Sequence, residues 1–304
     1  MPNPKWEKRI VDFEMRYCCS YDPDELDKSI AGEFTKTFLE TRGAQSGDST
    51  EDVLYQIGAL IKDEENGKYA FTNAGYLFFA SNPLKRFANA FVRVLKYDTC
   101  DKDLASKVDT ILDKDFDGAL PNVIRNLRTF LKTSGPFQIL DDPKYPSISV
   151  DEALVNAVIH RDYAVNIPIR CTVYKDKVVV KNPGGILQTV PRHFNVGDTT
   201  LPSVLRNPRI VEWMRLMKNG HGGTLVRALS EGTRKMRQEM ENLGLPAPNY
   251  ETSQHTSVTL YNHFEERLAP HAAYTTTSKP ETPSEQGSVK KALCSIGERL
   301  AKIE

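Results

Sequence analysis

Apolar and polar residues alternate along this chain with two different periods, and the switches between them outline its elements. From Asp22 to about Ile61 the apolar positions fall three and four apart, which predicts two helices. Asp24 and Glu25 open the first, and Ser49, Thr50 and Glu51 open the second through VLYQIGALI. Asn66-Gly67 marks a turn, Tyr69 to Phe71 a short strand, and an apolar helix follows until Asn82-Pro83 stops it. Helix, helix and hairpin is the order of a small winged module. Residues 1 to 20 read as a polar lead anchored by Trp6, Phe13 and Tyr17.

The middle of the chain repeats the alternation. Phe87 to Tyr97 reads as a buried strand, and Asp101 to Thr133 carries helical spacing through Leu104, Val108, Ile111 and Leu112, then Val123, Ile124, Leu127, Phe130 and Leu131. Ser134-Gly135-Pro136 ends it, and a proline-rich stretch leads to a helix at Asp151. PIRCTVY and KVVVK are β-branched runs separated by Lys175-Asp176, a tight hairpin by spacing. A short helix over Ile210 to Met217 follows an irregular stretch. Asn219 to Thr224 then opens a further helix through Leu225, Val226 and Leu229; Ser230 to Thr233 interrupts it, and it resumes through Met236 and Met240 to Gly244. Ser257 to Tyr261 is a last strand. The pattern as a whole is α+β.

Composition narrows the setting. Basic and acidic residues balance, 40 against 40 in 304 residues, so any attraction to nucleic acid must be local. Between Arg206 and Glu239 eight basic residues face three acidic ones, a net of +5, which suits phosphates of either DNA or a nucleotide. Five cysteines without metal spacing fit reduced thiols, and neither a signal core nor an apolar run of membrane length occurs, so a cytoplasmic protein without membrane contact is expected. After Asn262 the composition turns to Thr, Ser, Pro and Glu. Residues 263 to 288 read as a disordered linker, and 289 to 304 as an amphipathic helix needing a protein partner or a second copy of itself.

The candidate chemistry centres on SVDEALVNAVIHRDY. Glu152, Asn156 and His160 recur every fourth residue and so line one helix face; a carboxylate can orient or deprotonate water, and a carboxamide one turn on can ligate a hard cation. The same residues admit a structural reading, with Ser149 and Glu152 as a capping box, Asn156 a satisfied amide and His160 to Asp162 a solvated helix end. Downstream, Asn182-Pro183-Gly184-Gly185 ends a strand in backbone able to approach a ligand, or simply in a turn. Gly222, Gly223 and Thr224, at a predicted helix start, form either an anion site or a hinge.

Taken together, EALVNAVIHRDY, KNPGGI, RNPRI and the glycine-threonine break before RKMRQEMENLGLPAPNY resemble the C-terminal half of the RecG-like, helicase-related transcriptional regulators of bacteria and archaea. That family joins an AlbA-type, Schlafen-like domain to a divergent GHKL (Bergerat-type) ATP-binding domain. The resemblance runs from about Ser49 to Tyr261. No Walker A loop occurs, so neither the helicase name nor a P-loop mechanism is supported. The resemblance implies ATP and magnesium as cofactors, with Glu152 as general base, Asn156 as magnesium ligand, and Asn182 in the place of the adenine-reading Asp beside Gly184 and Gly185. His160 stands near a position usually held by Asp, and the lid is either Gly220 to Thr224 or Gly232 with Thr233. The AlbA-type domain would be truncated, since its Glu-Phe-Lys strand is missing ahead of Tyr17.

The implied organisation is a mixed α/β region over 1–135 with a winged-helix-like module at about 22–83, then a GHKL-like α/β sandwich over 136–262, a mixed sheet with helices on one face. Two functional accounts follow. One is an ATP-binding regulator, DNA-linked or defence-linked and hydrolysing slowly if at all; the other is a degenerate nucleotide fold serving as a structural or dimerisation subunit.

Overall fold

A computed structural model describes residues 13–42, 47–63, 65–100, 110–133, 138–139, 142–143, 145–185, 205–219, 223–226 and 231–263. The chain divides into two compact units, Met1–Glu265 and Glu266–Glu304, and every described residue belongs to the first. The expected linker and terminal amphipathic helix lie outside the described residues.

The N-terminal part contains β1 (Tyr17–Ser20), α1 (Lys28–Arg42), α2 (Thr50–Gln56), β2 (Leu60–Lys62), β3 (Tyr69–Thr72) and α3 (Asn73–Phe79). Its sheet has the order β1-β3-β2, both pairs antiparallel. A capping box starts α2, with Ser49 and Asp52 each taking the other's backbone N–H. The predicted run of this helix to Ile61 is too long. Gly58 turns at φ +78°, and Leu60–Lys62 become a strand against β3. The polar lead also hides a strand, since Tyr17–Ser20 pair with β3 at the open edge of the hairpin. Thr72 caps α3 through its hydroxyl, and that helix is buried along its length.

The second part is organised on a six-stranded mixed sheet of order β10-β11-β9-β8-β4-β5, in which β4 and β8 run parallel and every other pair is antiparallel. Its strands are β4 (Val92–Tyr97), β5 (Thr110–Phe116), β8 (Ile169–Val173), β9 (Lys177–Pro183), β10 (Asn249–Thr252) and β11 (His255–Tyr261); β6 (Gln138–Ile139) and β7 (Asp142–Pro143) form a separate pair. Helices α4 (Leu120–Thr133), α5 (Ser147–His160), α6 (Pro208–Leu216) and α7 (Glu231–Asn242) complete the order. Val94, Cys171, Val180 and Val258 are register partners across four strands, all buried, and α5 packs over β8 and β9. The expected α+β class and mixed sheet are therefore present.

Two predicted helices give way to other structure. Ile111 and Leu112 belong to β5, not to a helix: Arg93 on β4 holds Asp115 through two 2.7 Å hydrogen bonds and lies 3.5 Å from Asp113. Ile111 is exposed, so its helical spacing from other apolar residues was coincidental. Leu225 and Val226 are likewise not helical. Lys218 and Thr224 form an antiparallel bridge in which the Gly223 amide donates to Asn219 Oδ1 at 3.1 Å, and the next described helix is Glu231–Asn242.

Candidate functional site

Helix α5 begins at Ser147, four residues before the predicted start, and this changes the meaning of its polar residues. Ser149 lies inside the first turns, fully buried, and donates its hydroxyl to the Met236 carbonyl of α7 at 3.0 Å. The N-cap position is Pro146 and has no side-chain bond, so the capping-box reading of Ser149 and Glu152 fails. The solvated helix end fails too. Arg161 is 2% exposed, donating to the carbonyls of Val165 and Ile167 and stacking over Tyr163, while His160 is half-buried.

Along α5 the three spaced residues occupy different surroundings. Glu152 is 7% exposed and lies against the first turn of α7. Gly232 sits directly over it: a Cβ there would overlap the Glu152 carboxylate and come within 3.0 Å of its Cγ. Asn156, one turn on, is half-buried, and its carboxamide takes no hydrogen bond among the described residues. His160 ends the helix. Burial, with the nearby Arg206 charge second, pushes its imidazole down to about 4, so it is neutral at pH 7.

Strand alternation places Asn182 on the helix-covered face with Val178 and Val180, at the end of β9. It is 7% exposed, and its Oδ1 has no partner among the described residues. The two glycines after it are required by packing. Gly184 has φ +98°, and a Cβ would meet Asp162 at 2.8 Å and the Arg206 guanidinium at 3.2 Å; one on Gly185 would overlap the Ser253 carbonyl. The Gly184 amide donates to Gln254 O at 3.2 Å, so this turn is filled by the protein and does not stand open.

The RNP motif explains how these parts are held. Arg206 bonds Asp162 at 3.1 Å and the Gly185 carbonyl at 2.6 Å, clamping the β9 turn to the end of α5. Asn207 is 2% exposed and donates to the carbonyls of Ile159 and Arg161 at 2.9 and 2.8 Å, closing the C-terminus of α5. Pro208 then starts α6, where a missing N–H costs nothing. On the same turn Glu14, 1% exposed, accepts the amides of Arg209 and Ile210 at 3.1 and 3.0 Å. At the other end of α5, Arg128 from α4 holds Asp151 through two bonds of 2.7 and 3.0 Å and reaches the Leu225 carbonyl at 2.9 Å.

Of the two lid candidates, Gly232 and Thr233 lie in the first turn of α7 against Glu152. Gly223 and Thr224 belong to the closed turn after α6 and head no helix, so their reading as a helix N-terminal anion site is withdrawn; Gly222 lies outside the described residues. The basic stretch is no single surface either: Arg206 is half-buried and bound to Asp162, Arg209 donates to Ile57 O, and Arg237 pairs with Glu241. The sequence places Arg206 in a basic stretch suited to phosphates and Asp162 at a solvated helix end, and gives Asn207 no role beyond the RNPRI string. The RNP string was visible, but the groups its side chains bind lie 21 to 48 residues away.

Comparison with known proteins bears on part of this site. Residues 167–260 match a family model described as "Putative ATP-dependent DNA helicase recG C-terminal", a segment that contains Asn182, Gly184, Gly185, Gly232 and Thr233 and stops short of Glu152, Asn156 and His160. A crystal structure of the DIP2311 protein from Corynebacterium diphtheriae superposes with a TM-score of 0.57 at 20% identity, over 84% of this chain and 42% of that one, a likeness of fold. No curated protein matches. Among the described residues no helix is long and apolar enough to cross a membrane.

Proposed function

We propose that this chain binds ATP with magnesium across α5, the end of β9 and the first turn of α7, and that nucleotide occupancy regulates how its N-terminal elements are held. The observation that carries the reading is the buried Oδ1 of Asn182, which has no partner among the described residues. A buried acceptor without a donor costs about 1 to 3 kcal/mol, and the exocyclic amino group of adenine is a donor of the right kind. Asn156 offers a carboxamide oxygen to a hard cation. No group of three or more His, Cys, Asp or Glu side chains is placed to hold a metal among the described residues, so a cation here would take most of its ligands from phosphates and water, as magnesium does. The match over 167–260 to an ATPase-type C-terminal region supports the same choice.

Bound there, magnesium and ATP would supply a polarised terminal phosphate. The chain's own part is positional. Asn182 reads the base edge, Asn156 gives one metal ligand, the first turn of α7 receives anionic oxygens, and Glu152 orients a water and takes its proton. His160, being neutral, contributes a hydrogen bond and no charge.

The regulatory half of the proposal follows from residues 206–210. Arg206 and Asn207 hold the β9 turn and the end of α5, while Arg209 donates to the Ile57 carbonyl at the end of α2, and Glu14 binds the same turn of α6. A displacement of the β9 turn by nucleotide is therefore felt at α2 and at Glu14. Duplex DNA is the less favoured partner: α2 opens on Glu51 and Asp52 just after Asp48, and phosphates are repelled there.

Isothermal calorimetry tests the reading. Asn156→Ala should weaken Mg-ATP by about 2 kcal/mol, the scale of a lost charge-assisted contact, and leave metal-free ATP binding nearly unchanged. Asn182→Ala should weaken ATP by about 1 to 3 kcal/mol and narrow its preference over GTP. No heat of binding with the wild-type chain would defeat the proposal and leave the fold a structural or dimerisation subunit.

A further inference from the structure

We propose that the face of the six-stranded sheet turned away from α5 binds single-stranded RNA, with phosphates on a cation pair, riboses on a row of hydroxyls and bases on a row of tyrosines.

The described helices reach this sheet from one side. α5 packs over β8 and β9, Phe130 of α4 meets Phe116 at 5.1 Å, and Met236 of α7 lies beside Tyr250. These contacts fall on the side of Val94, Cys171, Val180 and Val258, so strand alternation turns the intervening residues to the other. Register sorts those residues into rows that cross β11, β9, β8 and β4. The first row is Ser257, Lys181, Arg170 and Arg93. Two residues along each strand, about 7 Å away, come Thr259, Val179, Thr172 and Leu95. In the third row Tyr261 pairs with Lys177, and Tyr174 and Tyr97 stack at 5.8 Å and 20°. Lys177 Nζ joins the two halves of that row, lying 5.8 Å from the Tyr174 ring and 5.9 Å from the Tyr261 ring.

Lys181 and Arg170 stand directly opposite each other, both exposed, and neither side chain has an ion pair or hydrogen bond among the described residues. Like charges so placed, with Cβ atoms about 5 Å apart, destabilise a sheet. An anion between them reverses the sign. Arg93 is already held by Asp115 and Asp113, and Glu251 stands beyond Ser257, so carboxylates close the strip at both ends and leave Lys181 and Arg170 as the cations for phosphates.

The other rows decide which anion. Thr172 and Thr259 are each 7% exposed and Ser257 3%, and their hydroxyls make no hydrogen bond among the described residues. A hydroxyl taken out of water needs a partner, and one that both donates and accepts matches the ribose 2′-hydroxyl, which DNA lacks. Tyr97 and Tyr261 are half-buried, so part of each ring stays accessible to a stacking base. Phosphate, sugar and base thus meet cations, hydroxyls and rings in the order in which one nucleotide carries them. An acidic peptide would use the first row alone.

Fluorescence anisotropy of the full chain tests the surface, with a labelled single-stranded RNA of about ten nucleotides and with DNA of the same base order. At low salt RNA should bind on the order of tenfold tighter than DNA, with a log–log salt slope of about −1.4, two phosphates at about 0.7 each. Arg170→Gln and Lys181→Gln should each weaken RNA binding several-fold and flatten the slope by about 0.7. Neither should lower the melting temperature, since each also relieves the cross-strand repulsion. Tyr97→Ala should cost on the order of tenfold at unchanged slope, and Tyr97→Phe should bind as wild type, which separates lost stacking from lost fold. Lys114→Gln removes an exposed cation from the side of Val94 and should change the affinity by less than about twofold. Excess magnesium and ATP should leave the RNA in place. A loss from Lys114→Gln equal to that from Arg170→Gln, or displacement by ATP, overturns the surface. Equal affinity for DNA overturns the role of the hydroxyl row and with it the RNA assignment. Polyglutamate competing as well as unlabelled RNA makes this a surface for acidic protein segments and overturns the proposal too. No RNA binding by the wild type at low salt overturns it whether or not ATP binds.

Discussion

Glu14 and His160 titrate in opposite senses over nearly the same pH range, so each conceals the other in the intact protein. Burial lifts the Glu14 carboxyl from 4.5 to about 7, with the Ile210 and Arg209 amides and the Arg209 charge opposing it. Burial and the Arg206 charge lower His160 from 6.5 to about 4. Between pH 4.5 and 7 the native state keeps the Glu14 proton that the unfolded chain has released, so this group's contribution to stability falls as pH rises. Between pH 6.5 and 4 the unfolded chain takes up a His160 proton that the native state refuses, so that contribution falls as pH drops. Each window is about 2.5 wide at about 1.4 kcal/mol per pH unit, or about 3 kcal/mol.

Urea unfolding of wild type, Glu14→Gln and His160→Gln at intervals from pH 4.5 to 7.5 separates the two. Subtracting the wild-type curve cancels every other titrating group. Relative to wild type, Glu14→Gln should gain about 3 kcal/mol across the range as pH rises. His160→Gln should gain somewhat less, about 2 kcal/mol, as pH falls from 6.5 to 4.5. Difference curves flat to within about 0.5 kcal/mol would refute the assignment of either burial cost.

Two further substitutions probe the scaffold. Asn207→Ala leaves the carbonyls of Ile159 and Arg161 without their donor inside the protein and should cost about 2 to 4 kcal/mol by denaturant titration, with Asn207→Asp no better because it offers acceptors to acceptors. Gly75→Ala drives a methyl into the Ala59 carbonyl, which also accepts the Thr72 amide, and should lower stability by about 1 to 3 kcal/mol; an unchanged melting temperature would mean that α3 can move away from β2 at no cost.

Periodicity alone determined most of the regular elements. The α5 polar line, the β8–β9 hairpin at Lys175-Asp176, α4 beyond Leu120 and the stop after α7 near Gly244 are all local in origin, set by residues within a turn or two of each other. It failed where pairing across the chain overrode spacing. β1 and β5 are strands because β3 and β4 supply their partners, and the apolar Leu225 and Val226 pack as bends because Arg128 and the Lys218–Thr224 bridge hold that segment. For the candidate site, the chain's sequence indicated Glu152, Asn156 and Asn182 by type and spacing, and motif strings indicated Gly184, Gly185 and Gly232. Only the tertiary structure decided what those groups touch. A carboxylate four residues from an Asn reads the same whether it faces water or the start of another helix, and an Asn at a strand end reads the same whether or not its oxygen has a donor. Gly232 lies 80 residues after Glu152, and Arg206 lies 44 after Asp162. Burial and hydrogen bonding over such separations depend on how the sheet brings α5, β9 and α7 together, which no local pattern encodes.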